Sequence, residues 1–431
     1  MMRIASIAVP TAWLLLTASV CSAADLVPRS PRLQALQVAL QHGEPRALGA
    51  FWERVLIEQS PLCEDAPDHP DDALYTFLWR APDARIERGP SLIRTWPAPS
   101  GASDKFEHLA NSDVWYLSEE LPRVARFFYG IGLPRDAEGK PLAGLDYDGP
   151  IDPLRHQVLT QASDRPYPFV EGPAAPRSPY LEMRPGVPRG AITTLKMSSK
   201  ILGSTRDVAL YTPPGYERTS ASNAFLLTFD GDAFTSTMPL PVILDNLIAE
   251  RRIPPVVAAF VFTPVGVARN DDLSPSPAFE QFLSRELMPF IRAHYRLSSD
   301  PRRHVIVGSS LGGLMASYSG LCHPELFGNV ISLSGSYWWA PDNRSGGLSA
   351  DAGWLVKEFA QAPPHPLRVY MNVGTWEGPS MLLTTRILRA VMTGKGCNVI
   401  YAEFPGSHAW FNWRQALPDS IIAMLGPQAR G

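Results

Sequence analysis

Residues 303–314 read Arg303-His304-Val305-Ile306-Val307-Gly308-Ser309-Ser310-Leu311-Gly312-Gly313-Leu314, and this stretch decides the fold. An apolar run breaks into Gly-x-Ser-x-Gly and then into a helical pattern. A serine between two glycines suits a strand-to-helix turn so tight that only small neighbours avoid a clash, which leaves its hydroxyl exposed at the helix N-terminus. The frame selects Ser310, not Ser309, as the candidate nucleophile.

Outward from this turn the chain alternates strand and helix. Apolar runs at 208–211, 225–229, 256–262, 304–307, 330–333, 367–373 and 399–403 are separated by amphipathic segments near 241–250, 279–295, 311–322, 350–361 and 381–393. Several runs are apolar without alternation, so both faces of the sheet are buried, as a mostly parallel sheet covered by helices requires. Residues 190–431 therefore read as an α/β-hydrolase catalytic domain. Upstream, apolar residues at helical spacing over 30–60 give way to short aromatic runs, Leu74–Trp79, Asp113–Leu117 and Arg126–Ile131, that suggest antiparallel strands. The fold class is thus α/β, with a smaller β-sandwich-like N-terminal domain over 30–165, leading helices included. Seven prolines between 165 and 189 predict irregular chain, and residues 166–189 are read as the linker.

The chain has 431 residues, 45% of them hydrophobic, enough for more than one core. A net charge of −3, with no basic run, argues against a nucleic-acid partner. Residues 1–23, Met1-Met2-Arg3 and an apolar stretch to Ala23, have the shape of a secretory signal peptide, with cleavage expected after Ala23 or Ala24. No later stretch is long and apolar enough to span a bilayer, so a soluble, exported mature protein is expected. Cys63, Cys322 and Cys397 would remain, with one disulfide conceivable and Cys322 expected as a buried small hydrophobe. No metal-ligand spacing stands out, and no cofactor is expected.

A serine hydroxyl needs a base within hydrogen-bond reach and an acid to orient it. In an α/β-hydrolase these follow the nucleophile in the order acid, histidine, each on a loop after a sheet strand. His323 closes the elbow helix and His365 precedes a strand on the wrong edge, which leaves His408, after the last strand, as the candidate base. Glu377 follows the strand ending at Val373 and is the candidate acid; Asp342, Asp351 and Asp419 compete. The oxyanion hole is expected from the backbone N–H of Leu311 and that of Asp232 or a neighbour, after Phe229-Asp230-Gly231.

Taken together, Leu227-Thr228-Phe229-Asp230-Gly231, Gly308 to Leu314, Pro324-Glu325-Leu326-Phe327-Gly328 and Ser334-Gly335-Ser336-Tyr337-Trp338-Trp339 closely resemble the enterochelin (enterobactin) esterases, of the esterase D-like α/β-hydrolases. Tyr75 to Arg80, Asn111 to Trp115 and Ile151 to Leu154 extend the likeness upstream. The resemblance implies a serine esterase acting on ferric catecholate siderophores such as enterobactin, in the periplasm given the signal peptide, with a small-molecule substrate as partner. It also implies that Arg269 neutralises the anionic complex while Trp338 and Trp339 stack on catechol rings. Two departures stand out: Ala409 follows the histidine where a polar residue is common, and the loop around Glu377 differs in length. A feruloyl or aryl carboxylesterase with the same triad is the alternative, and a non-catalytic siderophore-binding protein is a third reading.

Overall fold

The computed structural model describes residues 27–427 except 83–88, 99–100, 134–151, 157, 161–165, 217–222, 265, 343–352 and 365. The candidate signal peptide, Asp351 and His365 therefore lie outside the described residues.

Helices α1 (Pro31–Gln41) and α2 (Ala47–Glu58) lead into β1 (Leu62–Asp65), β2 (Asp72–Arg80), β3 (Ser91–Arg94), β4 (Glu107–His108), β5 (Val114–Pro122), β6 (Arg126–Gly132), β7 (Val158–Thr160) and β8 (Pro166–Glu171). They form two four-stranded antiparallel sheets, ordered β1-β2-β5-β4 and β3-β6-β8-β7. Side chains alternate across a strand, and β2 uses both faces. Tyr75, Phe77 and Trp79 fill the sandwich core with Trp96, Phe127 and Tyr129, whereas Leu78 packs outward under Leu33 of α1 and Trp52 of α2. The stretch 166–189, read as irregular throughout, opens instead with strand β8. Its prolines, Pro166 and Pro168, sit where β8 pairs only with β7, and pairing with β6 begins at Phe169, so their missing N–H groups cost no central ladder bond.

The second domain contains β9 (Ala191–Ser199), β10 (Ser204–Thr212), β11 (Ala224–Thr228), α3 (Gly231–Thr235), α4 (Leu240–Ala249), β12 (Val256–Val261), α5 (Val267–Leu273), α6 (Pro277–Gln281), α7 (Met288–His294), β13 (His304–Ser309), α8 (Leu311–Cys322), β14 (Asn329–Leu333), α9 (Trp354–Gln361), β15 (Arg368–Gly374), α10 (Pro379–Gly394), β16 (Asn398–Phe404) and α11 (Trp410–Leu425). Its sheet is ordered β16-β15-β14-β13-β11-β12-β10-β9, parallel from β16 through β12 and antiparallel at β10 and β9. Phe225 and Leu227 face one buried layer, and Leu226, Val305 and Val307 the other. The segment near 279–295 is α6, a π-helical stretch Phe282–Leu287 and α7 in succession. Cys322 is exposed, contrary to expectation, because it ends α8 where the helix leaves the core; no disulfide joins the three described cysteines.

Because β13 to β16 run parallel, their C-terminal ends share one edge of the sheet. Ser310, Glu377 and His408 follow β13, β15 and β16 respectively, so topology alone brings them to that edge.

Candidate active site

Ser310 is the N-cap of α8 at φ 58°, ψ −125°, a left-handed conformation that costs a non-glycine residue about 1–3 kcal/mol. Close packing holds it there. A Cβ on Gly308 would lie 2.1 Å from the carbonyl oxygen of Gly312, and one on Gly313 would lie 2.6 Å from Ser332 Oγ. Gly312, the other glycine of the frame, is less crowded, its nearest such contact being Asp230 Oδ2 at 3.6 Å. The demand for small residues thus falls on positions 308 and 313. The strained turn is stitched to the segment after β14: Ser310 N–H donates to Leu333 O and Ser336 N–H to Ser310 O, both at 3.0 Å.

Among the described carboxylates of those named, Glu377 is the one that meets His408. Its Oε2 lies 2.7 Å from His408 Nδ1, with the Glu377 side chain fully buried and His408 37% exposed. An ionised carboxylate only accepts, so Nδ1 carries the proton and Nε2 is left basic. The other oxygen, Oε1, accepts from Ser334 Oγ at 2.6 Å and Gly374 N–H at 2.7 Å. Asp342 and Asp419 are exposed. No hydrogen bond joins Ser310 to His408 among the described residues; Ser310 Oγ has Ser336 Oγ as its neighbour at 3.3 Å. Such catalytic contacts often tighten only when substrate binds.

The turn after β11 places Asp230 at φ 51°, ψ 51° and starts α3 at Gly231. Phe234 N–H makes the first bond back to Asp230 O, which leaves the amides of Gly231, Asp232 and Ala233 without an intrahelical acceptor, as Leu311 is at the start of α8. Since β11 and β13 are neighbours, these two sets of amides stand side by side.

Arg269 is not the free cation expected. Its Nε and Nη2 grip Asp230 Oδ1 and Oδ2 at 2.6 and 2.7 Å, and Thr263 Oγ1 donates to the same Oδ1 at 2.7 Å. Burial opposes the guanidinium charge, but Asp230 outweighs it and holds the group above its ordinary pKa. Arg269 thus braces the α3 turn and has its charge neutralised there. Trp339 is also misplaced by the expectation: it is buried, edge-on to Trp354 at 5.5 Å, beneath the elbow. Trp338 is half-buried, packed against the same core.

The Esterase family model matches residues 199–424, just over half of the chain, from the end of β9 into α11. The chain belongs to the Esterase family. Among its relatives are the iron(III) enterobactin esterase of Dickeya dadantii, 28% identical over 422 residues that cover 88% of this chain and 94% of that one, and the iron(III) salmochelin esterase of Escherichia coli, 27% identical over 410 residues covering 91% and 98%. The crystal structure of ferric enterobactin esterase from Salmonella typhimurium has a TM-score of 0.71 at 24% identity and covers 87% of this chain and 98% of that one. The likeness to enterochelin esterases therefore runs through both domains. The esterase is a carboxylic ester hydrolase on the α/β-hydrolase fold.

Two residues of the esterase's site escaped sequence reading. Ser334, at φ 47°, accepts from Trp413 Nε1 at 2.8 Å while donating to Glu377, and the Trp413 ring meets His408 edge-on at 4.7 Å. One tryptophan therefore braces both Glu377, through Ser334, and His408. The only signal was Ser334's place in Ser-Gly-Ser-Tyr-Trp-Trp, which drew attention to its tryptophans. The one group with metal-ligand spacing among the described residues, His69, Asp72 and Glu120, lies on the N-terminal sheet β1-β2-β5-β4, where Glu120 also pairs with Arg29. No helix among the described residues is long and apolar enough to cross a membrane.

Proposed function

We propose that the esterase is a serine hydrolase that cleaves the ester bonds of ferric catecholate siderophores such as enterobactin, releasing iron in the periplasm. The observation that carries the mechanism is the contact between the buried Glu377 carboxylate and the exposed His408 ring at the sheet edge that also bears the strained Ser310 elbow. His408 Nε2 removes the Ser310 proton as Oγ attacks the acyl carbonyl, and Glu377 steadies the imidazolium through Nδ1. The amides of Leu311 and of Gly231 or Asp232 receive the developing oxyanion. His408 then protonates the departing alkoxide, and water resolves the acyl-enzyme by the same route.

The substrate class is supported by relatives named for iron(III) enterobactin and iron(III) salmochelin, matched over nearly their whole length. Trp338, which is only half-buried, is the tryptophan of the pair left to meet a catechol ring. The apolar leader through Ala23 supports export.

Purified esterase should convert ferric enterobactin to linear catecholoyl-serine fragments, with Ser310→Ala abolishing the reaction. If Ser310→Ala abolished only the turnover of simple feruloyl or aryl esters, while ferric enterobactin stayed intact with the wild type, the aryl-esterase reading would replace this one. Cell fractionation should place the mature chain, beginning at Ala24 or Asp25, in the periplasm.

A further inference from the structure

The N-terminal sandwich touches the loops of Glu377 and His408 from both faces of a single strand. Trp376, immediately before Glu377, packs against Trp96 and Phe127 of the sandwich core, each with ring centroids 6.2 Å away. Just past His408, Ala409 and the first turn of α11 are also held: Ala409 and Phe411 are buried with Phe128 and Phe169, and the Phe411 ring stands perpendicular to Phe128 at 4.5 Å and lies 4.6 Å from Phe169. Phe127 and Phe128 are consecutive on β6, so they point to opposite faces. One strand thus reaches the acid loop with one side chain and the histidine loop with the next. Between them the β6 backbone at Arg126 pairs with Gly406 in an isolated parallel bridge, and Gly406 O accepts the N–H of Trp376 at 3.2 Å.

Glu377 and His408 lie past the last β15–β16 register pair, Gly374 with Phe404, where only the bonds from Thr375 N–H to Phe404 O and Trp376 N–H to Gly406 O carry the pairing on and side-chain packing has to set the rest. A displacement of about 1 Å in such a pair is enough to cost roughly a hundredfold in rate. We propose that β6 is the bracket that sets this alignment, with Trp376 and Phe128 as positioning residues acting through the Glu377–His408 contact. The sandwich thereby becomes part of the catalytic machinery without touching the reacting atoms. This rests on the reading of Ser310, Glu377 and His408 as the triad.

The test uses the full-length protein and a small ester, p-nitrophenyl butyrate, with active sites counted by a fluorophosphonate. Trp376→Ala and Phe128→Ala should each lower kcat about 10- to 100-fold with KM within about twofold. Trp376→Phe should recover most of the loss, and Phe128→Leu serves if Phe128→Ala does not fold. In a Glu377→Gln background Trp376→Ala should add less than about twofold, because the contact it serves is already broken. The proposal is overturned if the single variants keep kcat within about twofold, or if Trp376→Ala lowers it by the same factor in both backgrounds, which would mark general loosening. Glu377→Gln and Ser310→Ala in the otherwise wild-type chain report on the triad separately: full activity in either would sink that reading and this proposal with it.

Discussion

Ser334→Ala removes a single hydroxyl and leaves the backbone alone, since alanine and serine are equally strained at φ 47°. The Glu377 carboxylate then loses one of the two donors on Oε1, keeping only Gly374 N–H, and Trp413 Nε1 loses its acceptor. A hydrogen bond to a charged group is worth about 1.5–3 kcal/mol. If it is expressed in the transition state, where Glu377 steadies the imidazolium, kcat should fall about 10- to 150-fold at 1.36 kcal/mol per decade. The buried indole N–H left without a partner should cost about 1–3 kcal/mol of stability. Both are measurable on one preparation, kcat and KM with an aryl ester and unfolding free energy by urea titration. A kcat within about threefold of wild type would refute the reasoning, as it would mean that Oε1 needs no second donor to hold Oε2 on His408.

Other outcomes follow from the same geometry. Ser310→Gly should abolish turnover yet raise stability by about 1 kcal/mol or more, because glycine adopts φ 58° without strain; thermal unfolding would reveal it. Arg269→Met strands the Asp230 carboxylate beside Thr263 alone and should cost about 3–5 kcal/mol in urea unfolding. His304 is buried with its ring nitrogens at Leu326 O and Ser298 O, and burial, despite those bonds, holds it below its ordinary value of 6.5. The unfolded chain therefore takes up protons first, so this contribution to stability is present above about pH 6.5 and lost as pH falls through the folded value. Unfolding measured down that range should show the loss, and His304→Gln should flatten it.

The common sheet edge of Ser310, Glu377 and His408 was legible because chain order maps onto space in a parallel sheet. The C-terminal ends of β13, β15 and β16 share an edge, so a serine, an acid and a histidine after those strands must lie near one another. The helices α1 and α2 and the long strands were legible for a similar reason, the period of their apolar residues. Strand β8 was not, because proline content reads as irregular chain, and only the neighbouring strands show which N–H groups the sheet can spare. The pairing of Arg269 with Asp230 was not legible because the two are 39 residues apart and no local pattern announces the pair.

What the sequence by itself determined was the two-domain α/β character and the placing of Ser310, Glu377 and His408, the proposed nucleophile, acid and base, after β13, β15 and β16, all of which rest on local patterns and their order. What only the tertiary structure decided was how those residues are held: Ser334 and Trp413 beneath Glu377, Arg269 on Asp230, and strand β6 against both loops. Orientation is set by contacts between segments far apart in the chain, such as Trp413 with Ser334 across 79 residues. Such contacts depend on how whole layers pack, and hydrophobic period and motif spacing carry no record of that.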